Sequence, residues 1–365
     1  MNGTQAAVDL DDVEGLLAAD RDGLLRAASM AGAQVRATAA ALDEGELDAL
    51  KSDQPPRTVI WVAGRGNAET AGAMLSATLG GSVGAPIVVA SEAPPWIGAL
   101  DVLILAGDDP GDPALVSAAA TGVRRGARIA VAAPNDGPLR DATAGRSVSL
   151  APRLWVRDDF GLARYLAAGL AVLQVVDPGL RVDLAALADD LDAEAFRNSA
   201  GRELFTNPAK ALAERMSGRD VVLAGDNAAT LALARHAAAV FLRIAHQSVT
   251  AVGLGDALVA LHTGLGGAPE GDREASIFHD EQIDGSLPKR VRTFVLATDD
   301  ERPVVVARVS GLDDVDVINA EDVPEVLGMV DAPVAAAPPG RPEQQLAMMA
   351  VRLEMAATYL RLVRG

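Results

Sequence analysis

The sequence predicts an α/β protein of two lobes, each a parallel sheet flanked by helices. Short apolar runs alternate with helical patterns, which is how a parallel sheet covered on both faces reads in sequence. A unit of strand, glycine-containing loop and helix occurs twice, near residues 60 and 222. Half of the 365 residues are hydrophobic while aromatics make up only 3%, so the core must be aliphatic.

Along the chain, residues 10–50 read as helical, with Leu16, Leu17, Leu24 and Leu25 at roughly helical spacing. The KSDQPPR stretch at 51–57 is a turn. Strands follow at 58–63, 85–90, 101–106 and 127–133, with helices at 68–79 and 114–125 between them. Residues 160–176 form a long apolar helix, and 177–219 a polar connection with its own helical pieces. A strand at 221–224 then enters a helix at 228–245 through Gly225-Asp226-Asn227. Further strands are expected at 291–297 and 304–309, then a loose linker at 332–342 and a closing helix at 344–363. This places the first lobe, with its helical leader, in residues 1–195 and the second lobe in 196–365.

Charge narrows the function. A net charge of -18 argues against a nucleic-acid backbone or an anionic membrane as partner. It also opposes an anionic ligand unless a local arginine or helix N-terminus offsets the field. With no cysteine, disulfides, thiol nucleophiles and cysteine-bound metals are excluded. The N-terminal residues lack a basic stretch followed by an apolar run, and the apolar stretches are short for a bilayer, so a cytoplasmic protein is expected.

Several local motifs, in this order, carry a resemblance: the Gly64-Arg65-Gly66-Asn67 loop, the loop after 101–106, Pro152-Arg153, the helix around His246, His262, and the closing RLEMAATYLRLVRG. From about residue 57 to its end the chain resembles the sugar-isomerase (SIS) domain superfamily, in its bifunctional phosphoglucose/phosphomannose isomerase branch. The resemblance implies two SIS lobes, aldose–ketose isomerisation of a sugar phosphate, and a homodimer. The apolar helices at 161–176 and 344–363 point the same way, since they offer more apolar surface than two small lobes need.

The departures from the family pattern are chemical. Gly64, Gly66 and Asn67 can still present backbone N–H groups to an anion, or an amide to a sugar hydroxyl, at a helix N-terminus. The bland alternative is a tight strand-to-helix turn. Glu69 stands where a dinucleotide loop needs its third glycine, so no nucleotide cofactor is implied. The family places a hydroxyl-rich Ser-x-Ser-Gly-Asn-Thr loop where this chain reads Ala106-Gly107-Asp108-Asp109-Pro110-Gly111-Asp112-Pro113. Carboxylates repel a phosphate dianion and prolines lack an N–H donor, so Gly107 and Asp108 serve either a cationic or metal-bridged ligand or an acidic helix cap. Pro152-Arg153 matches the family's Pro-Arg, where the arginine stabilises an enediolate; a surface ion pair is the alternative.

Of the four histidines, the resemblance puts His246 where the family has its catalytic glutamate and His262 where a histidine assists ring opening. His246 would then be a substituted base; packing in an Ala/Val-rich helix is the structural alternative. His279-Asp280-Glu281 fits no usual zinc spacing and reads as a solvated loop, so no metal is expected. Two readings remain: a diverged isomerase using His246, His262 and Arg153, with altered recognition of a small sugar derivative, or a non-catalytic SIS protein that senses a ligand or binds a partner.

Overall fold

The computed structural model describes residues 8–265, 290–321 and 341–364. The polar loop carrying His279 and the linker at 332–340 lie outside the described residues. Three helices lead the chain: α1 (Val13–Ala19), α2 (Leu24–Ala28) and α3 (Ala31–Asp43). The first sheet is built from β1 (Thr58–Ala63), β2 (Ile87–Ala90), β3 (Asp101–Ala106), β4 (Arg128–Ala132) and β5 (Ser147–Ser149). Its order is β2-β1-β3-β4-β5, all parallel. The crossovers are α4 (Asn67–Leu79), α5 (Pro113–Arg125) and α6 (Gly137–Thr143). β1 and β3 are buried at every position, as their unbroken apolar runs require.

Helices α7 (Leu162–Val176), α8 (Leu184–Arg197) and α9 (Pro208–Met216) lead to the second sheet. There β6 (Asp220–Gly225), β7 (Val249–Gly253), β8 (Val291–Leu296) and β9 (Val315–Ile318) pair in the order β7-β6-β8-β9, again all parallel. α10 (Ala228–Ala245) and α11 (Leu254–His262) flank β7 in sequence, and α12 (Arg302–Val309) and α13 (Pro342–Arg364) complete the described helices. The fold is thus α/β, with two parallel sheets each flanked by helices. Residue 195 falls inside α8, so the connection between the sheets is itself helical.

Two expectations need correction. Residues 304–309 are not a strand but most of α12. Three valines in a row favour a strand, yet Pro303 sits in the first helical turn, where its missing N–H costs nothing. Glu301 also accepts from the Thr298 backbone N–H and hydroxyl at 3.0 and 2.8 Å, stabilising the turn that starts the helix. Val305 and Val309, one turn apart, are the residues it buries. The other correction concerns the apolar helices at 161–176 and 344–363. α7 buries nearly its whole length in the main core, and α13 is buried from Leu346 to Leu360 except at Met348. Their apolar surface is therefore consumed within one chain and gives no argument for a dimer. α10 is long and apolar enough by composition to cross a bilayer, but it packs against α4, α13 and the second sheet.

Two buried polar pairs stand inside this core. Arg352, 1% exposed, donates through Nε to Glu194 at 2.7 Å and to the carbonyls of Asn319 and Ala320. His236 of α10 lies 2.9 Å from Glu354 of α13, and burial pushes the Glu354 carboxyl up while the histidine opposes that shift. Both pairs tie α13 to the rest of the chain. A buried charge stripped of its partner is expensive.

The helix layer over the first sheet is set by Trp61 of β1, whose indole donates to the Ala68 carbonyl at 2.9 Å. A Cβ on Gly72 of α4 would lie 2.3 Å from the indole, and one on Gly169 of α7 would lie 2.9 Å from it. Both helices approach the ring at positions without a side chain. Gly72→Ala is therefore expected to destabilise the protein by about 1–3 kcal/mol, the cost of overpacking. Combining it with Trp61→Leu should cost less than the sum of the two single changes. Urea unfolding of the four proteins measures this; strict additivity would show that the glycine does not serve the ring.

Candidate functional site

In a doubly wound sheet ligands bind outside the carboxyl ends of the strands, where the strand order reverses. In the first sheet that point lies between β1 and β3. Gly64, Gly66 and Asn67 follow β1, and Gly107 and Asp108 follow β3, so the topology brings these five predicted residues to one crevice. Pro152 and Arg153 follow β5 on the same edge.

Gly66 precedes α4 with φ of 63°, a conformation that favours glycine, and no side chain caps that helix. Asn67 is buried, and its amide donates to the Asp158 carbonyl at 2.5 Å. The amide that the sequence offered to a sugar hydroxyl thus ties α4 to the segment after β5. The N-terminus of α5 is different, because Asp112 accepts from the Ala114 N–H at 2.8 Å and caps it. Asp109 accepts from the Gly111 N–H. The loop after β3 thus turns two of its own carboxylates onto its backbone N–H groups.

Asp108 has a different partner set. Arg164 of α7 donates to it at 2.5 Å and to the Tyr165 hydroxyl at 2.6 Å, and that hydroxyl in turn donates to Asp108. Burial pushes the Tyr165 phenol well above its ordinary range, so it stays a protonated donor. Close by, burial and the charge of Asp108 push the Asp158 carboxyl up, with Arg164 opposing. Asp159 is held by Arg243 of α10 at 3.0 Å and by Arg157 at 3.2 Å. Arg243 thereby brings the second lobe to the rim of this crevice.

Arg153 is committed elsewhere. It donates to both oxygens of Glu44, at 3.0 and 2.5 Å, and to Glu46 at 2.6 Å. The hydrogen bond from Arg153 holds Glu44 below the ordinary carboxylate range. Arg153, Pro152 and Arg164 line a cleft of about 20 Å³ with Gln34 and Thr38 of α3.

The two histidines part company. His246 is not packed within a helix but caps the end of α10 in the left-handed region, with φ of 52°, exposed, three residues beyond Arg243. His262 is the exposed last residue of α11. α10 packs in the main core with Val221, Leu223, Phe294 and Leu296, whereas α11 packs with Ala224 and Val295 on the opposite face of the second sheet. One chain therefore does not bring His246 and His262 into one cleft. The switch point of the second sheet, between β6 and β8, is closed by its own groups. Asn227 caps α10 and donates to Glu301, and Arg308 pairs with Asp226. Among the described residues, no group of three His, Asp or Glu side chains is placed to hold a metal ion.

Sequence reasoning missed Arg164, Tyr165 and Arg243, and it offered Asp158 as an ion-pair partner for Arg153, which pairs with Glu44 and Glu46 instead. A signal existed, since Arg164 and Arg243 interrupt helices that are otherwise almost wholly apolar.

The raised Asp158 carboxyl has a testable sign. Its folded-state pKa lies above the unfolded value of 3.8, so the folded chain holds the proton more tightly. That contribution is present at low pH and is lost as pH rises through the folded value. Asp158→Asn keeps the backbone carbonyl that Asn67 uses. Urea midpoints from pH 4 to 7 should shift progressively in favour of the variant; a pH-independent difference would contradict the assignment.

No protein-family model matches the sequence, and no curated protein matches it by sequence. Solved structures do match over nearly the whole chain. The tagatose-6-phosphate ketose/aldose isomerase of Escherichia coli is 14% identical with a TM-score of 0.60, covering 94% of this chain and 92% of that one. The C-terminal domain of glucosamine-fructose-6-phosphate aminotransferase from Francisella tularensis is 10% identical with a TM-score of 0.57, covering 96% of each. A glucose-6-phosphate isomerase like protein from Thermus thermophilus is 17% identical with a TM-score of 0.51, covering 98% of this chain and 94% of that one. At such identities the likeness is one of fold, and the fold of this chain is the two-lobed α/β arrangement of the sugar-isomerase type.

Proposed function

We propose that this chain is a sugar-isomerase-type protein that binds a small carbohydrate derivative at the carboxyl edge of its first sheet, and that hexose 6-phosphates are not its ligands. The observation that carries this is Asp112 capping α5. In the family pattern, hydroxyl donors hold a phosphate at this loop. Here a carboxylate already satisfies the helix N-terminus, and two more stand beside it. Each hydrogen bond to a charged group contributes roughly 1.5–3 kcal/mol. Losing three of them offsets much of the roughly 8 kcal/mol of a micromolar complex.

A specific observation favours a non-catalytic ligand-sensing role over isomerisation. His246 and His262 lie on opposite faces of the second sheet, and Arg153 is held by two glutamates. In this reading His246→Ala leaves ligand affinity unchanged within twofold. A homodimer belongs to the proposal on the strength of the resemblance alone, with light scattering as its check.

Isothermal titration is the first test. Glucose 6-phosphate and mannose 6-phosphate should show no saturation at low millimolar concentration. Binding tighter than about 100 μM, which is roughly 5–6 kcal/mol, would overturn the proposal. Proton NMR in deuterated water separates the two roles, because exchange at the second carbon of a bound sugar would establish isomerase chemistry.

A further inference from the structure

In a chain with 50 acidic and 32 basic residues, the cleft between α3 and the segment after β5 is unusual in its lining. Gln34, Thr38, Pro152, Arg153, Leu154 and Arg164 face it, and no Asp or Glu does. Arg164 is largely buried, with 13% of its side chain exposed. Its Nη2 serves Asp108 and Tyr165, while its buried Nη1 has no acceptor in the protein. A buried guanidinium N–H without an acceptor is costly, and an anionic oxygen is its best partner.

We propose that this cleft is a subsite for a carboxylate, and hence that the carbohydrate derivative bound by this chain is a sugar acid. The inference rests on the carbohydrate reading above. A carboxylate oxygen can accept from the unpaired Nη1 while Nη2 stays with Asp108 and Tyr165. The cleft of about 20 Å³ admits a group of one or two water-sized atoms. The built walls support the same choice. Gln34, 4% exposed, is fixed by donating to the Phe160 carbonyl at 2.9 Å. Thr38, 7% exposed, donates to the Gln34 carbonyl over a long 3.3 Å and can redirect its hydroxyl to a ligand oxygen. Arg153 lies on the same cleft, restrained by Glu44 and Glu46, so their charge sets how freely it joins the ligand.

The probes are D-gluconate, D-glucose, glucose 6-phosphate and ¹³C-carboxyl acetate, titrated into the full chain by calorimetry and carbon NMR. Gluconate should saturate where glucose at the same concentration does not. Ala37→Leu, which fills the cleft without touching an ion pair, should weaken gluconate at least tenfold. Arg153→Gln should weaken it several-fold, and the double change Glu44→Gln with Glu46→Gln should tighten it. Arg164→Lys tests the key nitrogen directly, but it also disturbs Asp108 and Tyr165, so Ala37→Leu is the deciding variant provided its circular dichroism is unchanged. Acetate binding that Ala37→Leu abolishes, with no sugar bound, would uphold the subsite and sink the carbohydrate reading. Glucose binding that Ala37→Leu leaves intact, with no response to gluconate or acetate, would sink the subsite alone, whereas glucose 6-phosphate binding would sink the carbohydrate reading above as well.

Discussion

The indole of Trp61 sets the spacing on which the arrangement of both lobes depends. It is the largest fully buried side chain, and it stands on β1, next to the switch point of the first sheet. Two helices meet it through glycines, so α4 and α7 can lie flat on the sheet and against each other. α4 in turn is the surface against which α10 of the second lobe packs. A bulkier residue at Gly72 or Gly169 lifts that layer, and with it the α10 end that delivers Arg243 to Asp159. The position of the crevice is thus a consequence of packing before it is a matter of charge. In a chain with so few aromatics, one ring carries this burden because no other side chain of its size is available there.

Much of the fold was legible because buried parallel strands read as unbroken apolar runs. β1, β3 and β6 are of this kind; these and β8, whose VRTFVL run is interrupted by Arg292 and Thr293, were expected within a residue or two of where they lie. The strands that escaped were β5, β7 and β9, with the sequences SVS, VTAVG and VDVI. They lie at sheet edges and are half exposed, so selection for continuous hydrophobicity is relaxed there. The misread α12 shows the opposite failure. Its valines obey local β propensity, but the preceding Thr298-Asp299-Asp300-Glu301 and Pro303 are helix-start signals that outweigh it.

The site was legible only in its backbone. Glycines after β1 and β3 declared the two loops, because tight strand-to-helix turns demand them. The partners of the charged groups could not be read, since they join residues far apart in sequence. Asp108 meets Arg164 across 56 positions, and Arg153 meets Glu44 across 109. The acidic loop, read alone, predicted a region hostile to anions. Its charges prove to be distributed: Asp112 onto a helix N-terminus, Asp108 onto an arginine and a tyrosine, and Asp109 onto a backbone N–H.

That distribution bears on function more than any single lost motif. Repulsion of a ligand depends on carboxylates that are free to act on it, and neutralised ones act weakly over distance. In the proposed reading, what would keep a phosphate from the N-terminus of α5 is its occupancy by Asp112, a local and geometric effect, more than the net charge of the chain. The same pairing leaves one buried guanidinium nitrogen of Arg164 unspent, on a residue of a cleft whose lining holds no carboxylate. In such a fold the charge that a loop presents is set less by its composition than by how its carboxylates are paired with distant arginines and nearby backbone.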